Sequence, residues 1–336
     1  METAEKIYPD IEFLFKSSFK HDVISREPLS SHGSDRIIIR LRSSDGRSSV
    51  GIINNHIEEN NAFIGFTGHF RDHKLNVPRI YGVSEDRRCY IMEDLGDTTL
   101  FKRISVNFGN EEIDLYKRAL SELIKFQITA GKSIDFKLCY QFDEFGEENI
   151  DYDLKYFTDR FLKVFYKEEL DFEKLSRDLE LIKNTILELP GEYFLYRDFQ
   201  SRNIMIKNGE LYFIDYQSGR RGALQYDAAS LLYDAKADLP QEIREQLIDY
   251  YVKEAGKYVK LHKKDFIHYF RYFALVRILQ AMGAYGYLGI VKGKGQFLDS
   301  IPYALNNINF ILKNQLQAGS LDYLRNIFNK LANETA

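Results

Sequence analysis

The chain has 336 residues, with 46 Lys and Arg against 50 Asp and Glu, for a net charge of −4. That length holds one large or two smaller domains around a sizeable core, and 44% hydrophobic with 29% charged residues rules out global disorder, collagen and coiled coil. The near-neutral balance argues against a nucleic-acid protein whose binding rests on a large basic excess, and no run approaches the ~20 apolar residues of a membrane span.

Residues 1–20 read as a short amphipathic helix with Ile11, Leu14, Phe15 and Phe19 on its apolar face. No basic start followed by a long apolar run marks a secretory signal there, which points to the cytoplasm. A Ser- and Gly-rich loop follows at 29–35. β-branched residues make 36–41 strand-like. Asp45-Gly46 reads as a hairpin turn and 49–53 as the return strand. Phe63, Phe66 and Phe70 at helical spacing predict a helix over 59–73. His69 and His73 on it stand four apart, a spacing zinc accepts, but no third ligand is evident and an exposed helix end is expected. Val77-Pro78 breaks the helix, and 81–83 with 89–92 form a second hairpin. Cys89 in that hairpin is expected in the core. With Cys139 it completes a pair of cysteines, too few for a disulfide framework or a four-thiolate zinc site.

After Gly96 the character turns helical. Residues 111–130 read as a long amphipathic helix closed by Gly131 at the C′ position, and 151–189 as another, stopped by Pro190-Gly191. A short β island follows at 193–196, 204–206 and 211–214, with an Asn208-Gly209 turn. From Leu224 onward nearly everything is helical. There is no internal repeat and no low-complexity linker. The break at 94–96 therefore reads as a lobe boundary within one functional unit, dividing residues 1–94 from 95–336.

The β island carries the chemistry. A strand ends at Tyr196, a polar loop holds Asp198 and Asn203, and the hairpin returns to Asp215 behind the apolar Tyr212-Phe213-Ile214. Such a hairpin brings the three side chains to one rim. Two carboxylates and an amide are oxygen donors that suit a hard cation such as Mg²⁺, which binds through one or two carboxylates plus substrate phosphates. One carboxylate is then spared as a base. Arg197 is either a surface charge or a brace for the loop. Asp227 precedes an apolar helix, where an N-cap is the simplest role. Gln200, Arg202 and Gln217 flank the triplet as candidate hydrogen-bonding groups for a polar acceptor.

The pattern Asp198-x-x-x-x-Asn203…Asp215 resembles the catalytic and metal loops of the protein-kinase-like fold. Residues 196–205, 215–217 and 222–232 narrow the resemblance to the aminoglycoside/choline phosphotransferases. Residues 279–287 and 297–302 bring it nearest to the bacterial kinases that phosphorylate N-acetylmuramate and N-acetylglucosamine at the anomeric position. The resemblance covers nearly the whole chain. It implies an α+β, two-lobed fold, with a small β-rich N-lobe over 1–94 and a larger helical C-lobe over 95–336. It also implies ATP and Mg²⁺ as cofactors and a small-molecule hydroxyl, that of an amino sugar, as acceptor, with neither nucleic acid nor membrane as partner. By the same resemblance Asp198 is the general base or orienting group, and Asn203 and Asp215 hold Mg²⁺ against the nucleotide phosphates. Asp227 ties down the catalytic loop. The backbone of the segment from Glu93 through Leu95 meets adenine. Arg202, Gln217 and Tyr285 border the acceptor.

The amino lobe departs from the family pattern. No Gly-x-Gly-x-x-Gly is present, and residues 30–34 stand in its place with only backbone amides, such as that of Ser34, to offer a phosphate. No Lys occurs between Lys20 and Lys74. Asn54-Asn55 therefore stands where a phosphate-pairing Lys is expected, and Glu59 resembles the acidic partner of that missing Lys. Arg36 and Arg40 are the candidate replacements. Three alternatives stay open: another acceptor such as an aminoglycoside, choline or a different sugar; a nucleotide-binding pseudokinase; and, last for want of an Ala-Pro-Glu segment, a protein kinase.

Overall fold

A computed structural model describes residues 8–30, 35–106, 108–317 and 319–335. Helix α1 (Tyr8–Phe19) buries Ile11, Leu14 and Phe15 against an antiparallel sheet. Its strands are β1 (Ser25–Leu29), β2 (Ile37–Arg42), β3 (Ser48–Ile53), β4 (Ile80–Val83) and β5 (Cys89–Glu93), in the order β1-β2-β3-β5-β4. Alternation along the strands divides the apolar residues between two faces. Ile39, Leu41, Ile53, Cys89 and Ile91 pack beneath α1, whereas Val50 and Ile52 face the main core. Strand β1 is polar and contains Pro28, so its sequence does not read as a strand. It forms at the sheet edge, where a proline costs no ladder bond. On the other face of the sheet, α2 (Ile57–Asp72) buries Phe63, Phe66 and Phe70. His69, expected at an exposed end, meets the Ala130 carbonyl at 2.8 Å.

The helical lobe begins with α3 (Leu100–Val106) and α4 (Asn110–Ile124), the latter continuing as a π-helical segment, Lys125–Ala130. Gly131 is not the left-handed cap the sequence suggests: its φ is −57°. A Cβ there would stand 3.1 Å from the Phe194 backbone nitrogen, so the residue is small to let a strand approach. The single helix expected over 151–189 is two. Helix α5 (Glu147–Phe157) runs through a π turn into the short α6 (Lys163–Phe165), the chain turns extended at Tyr166, and α7 (Phe172–Leu187) starts afresh. The Asp171 carboxylate accepts from the Lys174 N–H and caps that start.

Strand β6 (Tyr193–Leu195) pairs with β9 (Arg220–Gly222), and β7 (Ile204–Lys207) with β8 (Glu210–Phe213). Asn208 at φ 53° and Gly209 at φ 80° make the tight turn of the second pair. Helices α8 (Gln225–Leu232), α9 (Gln241–Ala255), α10 (Lys263–Gly286), α11 (Ile301–Phe310) and α12 (Asp322–Thr335) complete the lobe. Helix α10 and the π turn after it are, against expectation, long and apolar enough to cross a membrane by length and composition. That apolarity is spent on packing, because α10 lies against α5 and α8 with most of its central residues buried.

The segment joining the sheet to α3 is stapled from both lobes. Arg40 Nε reaches Asp94 at 2.8 Å and its Nη2 reaches Asp97 at 2.8 Å. From the other side, Lys207 Nζ donates to Glu93 at 2.7 Å and to the Asp94 carbonyl at 3.0 Å. The Ile206 N–H donates to the Thr98 carbonyl.

Candidate active site

The catalytic loop closes on itself. Asn203 Nδ2 donates to the Asp198 carbonyl at 2.9 Å and to Asp215 Oδ2 at 3.3 Å, while the Ile214 N–H donates to the Asn203 carbonyl. All three residues singled out in the sequence thus converge. Two backbone positions in left-handed space make this possible, Arg197 at φ 80° and Asp215 at φ 70°. Such strain on non-glycine residues is tolerated where the surroundings fix it.

Those surroundings are explicit. Asp227, in the first turn of α8 rather than at its cap, accepts from the Tyr196 N–H at 2.8 Å, the Arg197 N–H at 2.9 Å and Gln127 Nε2 at 3.0 Å. Burial pushes its carboxyl up to about 7 against those three donors. The Arg197 guanidinium turns inward to Asp153 on α5 at 2.7 Å and to the Tyr226 hydroxyl at 2.6 Å. It is a brace and not a surface charge. Breaking such a buried pair by removing one partner costs about 3–5 kcal/mol. Tyr216 seats the other end of the loop: its ring stacks 5.0 Å from Phe63 of α2, and its hydroxyl lies 2.6 Å from Thr67 Oγ1.

On the N-lobe side, Arg36 Nη2 meets Asp215 Oδ1 at 2.8 Å and Arg36 Nη1 stands 3.7 Å from Glu59. Glu59 also receives Asn54 Nδ2 at 2.9 Å. Of the two arginines proposed for the absent lysine, Arg36 reaches the site and Arg40 is committed to Asp94 and Asp97. The two central carboxylates are driven apart. Burial, then the charge of Asp215, raises Asp198 above the usual carboxylate range, with Arg277, Arg197 and Arg220 pulling the other way. Burial also acts on Asp215, but it is outweighed by the Arg36 charge and by hydrogen bonds from Gln217, Arg36 and Asn203, so Asp215 lies low. Environments that separate two acids in this way assign them different work. An ionised Asp215 and the Asn203 side chain beside it, once its Oδ1 rather than its Nδ2 is turned to the ion, form a donor set that fits Mg²⁺. Among the described residues no cluster of three His, Cys, Asp or Glu offers a competing metal site.

The remaining expected residues are distributed unevenly. Gln217 does not face an acceptor: it is 3% exposed, and its Nε2 donates to Asp215 at 2.9 Å and Glu59 at 3.4 Å. Its Oε1 is buried without a partner. The Arg202 guanidinium lies 4.6 Å from the Phe101 ring centre. Tyr285 is half-buried, and burial raises its hydroxyl to about 12, with the charges of Asp234, Arg277 and Arg202 also reaching it. The Glu93 N–H is already donated to the Arg79 carbonyl at 2.7 Å, and Leu95 is buried. Ser34 lies outside the described residues. Asp153, which pairs with Arg197 at 2.7 Å, is a neighbour of the site that the sequence did not single out. Asp153 sits amid the acidic run of α5, and nothing in its spacing marks it.

A family model described as the phosphotransferase enzyme family matches residues 54–260. Among curated proteins, the N-acetylmuramate/N-acetylglucosamine kinase of Pseudomonas aeruginosa is 25% identical over 281 residues, 82% of this chain and 80% of that protein. The protein of the same name from Neisseria meningitidis serogroup B is 24% identical over 254 residues, 74% of each. Among solved structures, a Plasmodium vivax ethanolamine kinase superposes with a TM-score of 0.62 at 13% identity, covering 94% of this chain and 90% of its own. A choline kinase from Streptococcus pneumoniae gives 0.59 at 13% identity, over 92% and 98%. The fold is therefore kinase-like and two-lobed.

Proposed function

The chain belongs to the phosphotransferase enzyme family and is a small-molecule kinase; from that premise we propose that it transfers the γ-phosphoryl group of ATP to the anomeric hydroxyl of N-acetylglucosamine or N-acetylmuramate. The observation that carries this reading is the opposed pair, Asp198 raised and Asp215 lowered, clasped by one asparagine. Asp198 takes the proton of the acceptor hydroxyl as the new O–P bond forms and the bond to the ADP leaving group breaks. Asp215 and Asn203 would hold Mg²⁺, which supplies charge neutralisation on the phosphates when bound. Arg36 meets the phosphates in place of the missing lysine, and Gln217 keeps Asp215 oriented. The backbone groups of Glu93 to Leu95 that the Arg79 and Lys207 hydrogen bonds leave open, at the boundary between lobes 1–94 and 95–336, take adenine. Arg202 and Tyr285 border the sugar.

The acceptor side also argues against the polycationic alternatives. Asp198 stands among the charges of Asp215, Arg277, Arg197 and Arg220, a mixed setting without the carboxylate excess that a polycationic aminoglycoside calls for. The two curated relatives carry the amino sugars in their names, which supports the same choice. ATP consumption against a panel of amino sugars, aminoglycosides, choline and peptides tests it. Turnover with an amino sugar is expected. Turnover confined to an aminoglycoside or choline would remove the acceptor assignment and leave the kinase.

A further inference from the structure

Four aromatic rings from separate segments stand in a row on the helical lobe. Phe142, in the loop before α5, has its ring centre 5.8 Å from that of Tyr152. Tyr152 is 6.2 Å from Tyr156 with ring planes 6° apart, and Tyr156 is 6.2 Å from Tyr287. Helical spacing alone brings Tyr152 and Tyr156 together. It does not bring in the two ends, which come from other segments. At Tyr287 the sequence clears the way with glycine. A Cβ at Gly283 would stand 2.7 Å from Tyr156 Cδ1, and one at Gly286 would strike the Arg160 carbonyl. Helix α10 therefore lies close against α5 and the π turn that follows it, Thr158–Leu162. Tyr287 opens the π turn that ends α10, Tyr287–Val291, and π turns gather at functional sites. Core packing does not account for the row, since Tyr152 is 57% exposed and Phe142, Tyr156 and Tyr287 are only half-buried.

Direct contacts tie the row to the catalytic loop at its middle and at both ends. Asp153, beside Tyr152 on α5, is buried and bonds Arg197, the residue before Asp198, at 2.7 Å. Helix α5 thus turns Asp153 to the loop and Tyr152 to solvent. At one end the Arg220 guanidinium lies 5.3 Å from the Phe142 ring centre and bonds the carbonyl of Ser218, three residues after Asp215. At the other end Lys292 lies 6.0 Å from the Tyr287 ring centre and 3.4 Å from Asp35 of the N-lobe. Asp35 precedes Arg36, which meets Asp215 at 2.8 Å. The row therefore follows the C-lobe rim of the cleft, between two segments that each lead to Asp215. A pyranose carries C–H bonds on its faces and hydroxyls around its edge. A tyrosine ring, apolar on its face and wet at its tip, matches that pattern. In the proposed reaction the anomeric oxygen meets Asp198. Carbon 4 lies across the sugar ring from carbon 1, so a second sugar attached there is directed away from Asp198, toward the rim.

We infer that Phe142, Tyr152, Tyr156 and Tyr287 form an outer acceptor subsite that stacks a second sugar, so that the enzyme phosphorylates the reducing end of a β1,4-linked amino-sugar oligosaccharide as well as the monosaccharide. This rests on the amino-sugar reading above. The transfer itself is unchanged: the reducing-end anomeric oxygen bonds to the γ-phosphorus, its proton passes to Asp198, and ADP leaves. Calorimetric titration and steady-state kinetics of the full chain with N-acetylglucosamine and with its β1,4-linked disaccharide test the inference. Stacking on one aromatic ring amounts to about three- to tenfold in affinity. The disaccharide should bind tighter by that factor and show a lower KM at similar kcat. Tyr152→Ala should erase the gain and leave kcat and KM for the monosaccharide within about twofold, whereas Tyr152→Phe, which keeps the ring, should retain it. A disaccharide that binds no tighter than the monosaccharide, or a gain that survives in Tyr152→Ala, overturns the inference and leaves the amino-sugar reading standing. So does a monosaccharide that is phosphorylated while the disaccharide is not. If neither sugar is phosphorylated, the amino-sugar reading falls and the subsite falls with it. If Tyr152→Ala instead lowers the sedimenting mass of the full chain and leaves both sugars unaffected, the row is a contact between copies and the inference is overturned.

Discussion

On its C-lobe side the catalytic loop rests on Asp227, Arg197, Asp153 and Tyr226, all buried. Asp227 takes three donors, and the Arg197 charge has a matched partner 2.7 Å away. On its N-lobe side the loop meets Arg36, Glu59 and Gln217, whose contacts are looser. The Arg36 to Glu59 separation is 3.7 Å, and the Gln217 Oε1 atom has no partner. The two contacts also differ in reach, since Arg36 and Asp215 are 179 residues apart. The C-lobe network is held by a buried ion pair, although Asp153 Oδ2 is also buried without a partner, and its removal is expected to unfold the loop. The N-lobe contacts join distant parts of the chain across the site, and we propose that their removal is felt by the ligand. Between the two stands Asp198, which we propose acts on the substrate.

That division can be broken by experiment. The largest effect is expected at Asp198. Asp198→Asn should keep nucleotide binding and lose about 10²–10⁴-fold in kcat. In the wild type the proton-accepting form is the carboxylate, so kcat/KM should fall as pH drops through its raised pKa. The acid limb should lie above the ordinary carboxylate range near ~4. Steady-state kinetics across pH reads both, and a variant within a few-fold of wild type would take Asp198 out of the mechanism.

Next comes the scaffold. Asp153→Ala leaves the Arg197 charge buried without its partner and should destabilise the protein by about 3–5 kcal/mol, read as a shift in denaturant midpoint. MgATP affinity of the folded fraction should be little changed. A variant of unaltered stability with weakened nucleotide binding would invert the assignment of the two sides.

Arg36→Ala should do the reverse. MgATP affinity should fall by about 1.5–3 kcal/mol, the range for hydrogen bonds to charged groups, whereas adenosine, lacking phosphates, should bind nearly as before. Equal losses for both ligands would leave the N-lobe without a phosphate cation and restore the pseudokinase alternative. Arg40→Ala should give the smallest effect on ligands, since Asp94 and Asp97 already occupy its guanidinium. ATP and adenosine titrations should shift together and slightly, and a selective loss of ATP would mean the two arginines have been assigned the wrong way round.

Local pattern explains why one side was legible in the sequence and the other only half so. The strand, loop and hairpin from Tyr196 to Asp215 are contiguous, and the positive-φ turn at Asn208-Gly209 marks the hairpin directly. The convergence of Asp198, Asn203 and Asp215 follows from that contiguity. Arg36 could be named as a candidate because a lysine was missing, but its preference over Arg40 depends on where β2 begins. Arg36 lies just ahead of the strand and reaches Asp215, while Arg40 sits within the strand opposite Val50 and turns to Asp94. Gln217 was misplaced because two residues after Asp215 the chain direction is set by Tyr216, whose anchoring on Phe63 and Thr67 is a long-range packing fact.

The central claim is that the acceptor is an amino sugar phosphorylated at its anomeric oxygen. The most direct measurement is ³¹P NMR of the product formed from ATP and N-acetylglucosamine or N-acetylmuramate. The expected result is a phosphorus signal coupled to the anomeric proton, lost on mild acid treatment as a glycosyl phosphate is. An acid-stable signal coupled to the C6 protons would contradict the claim.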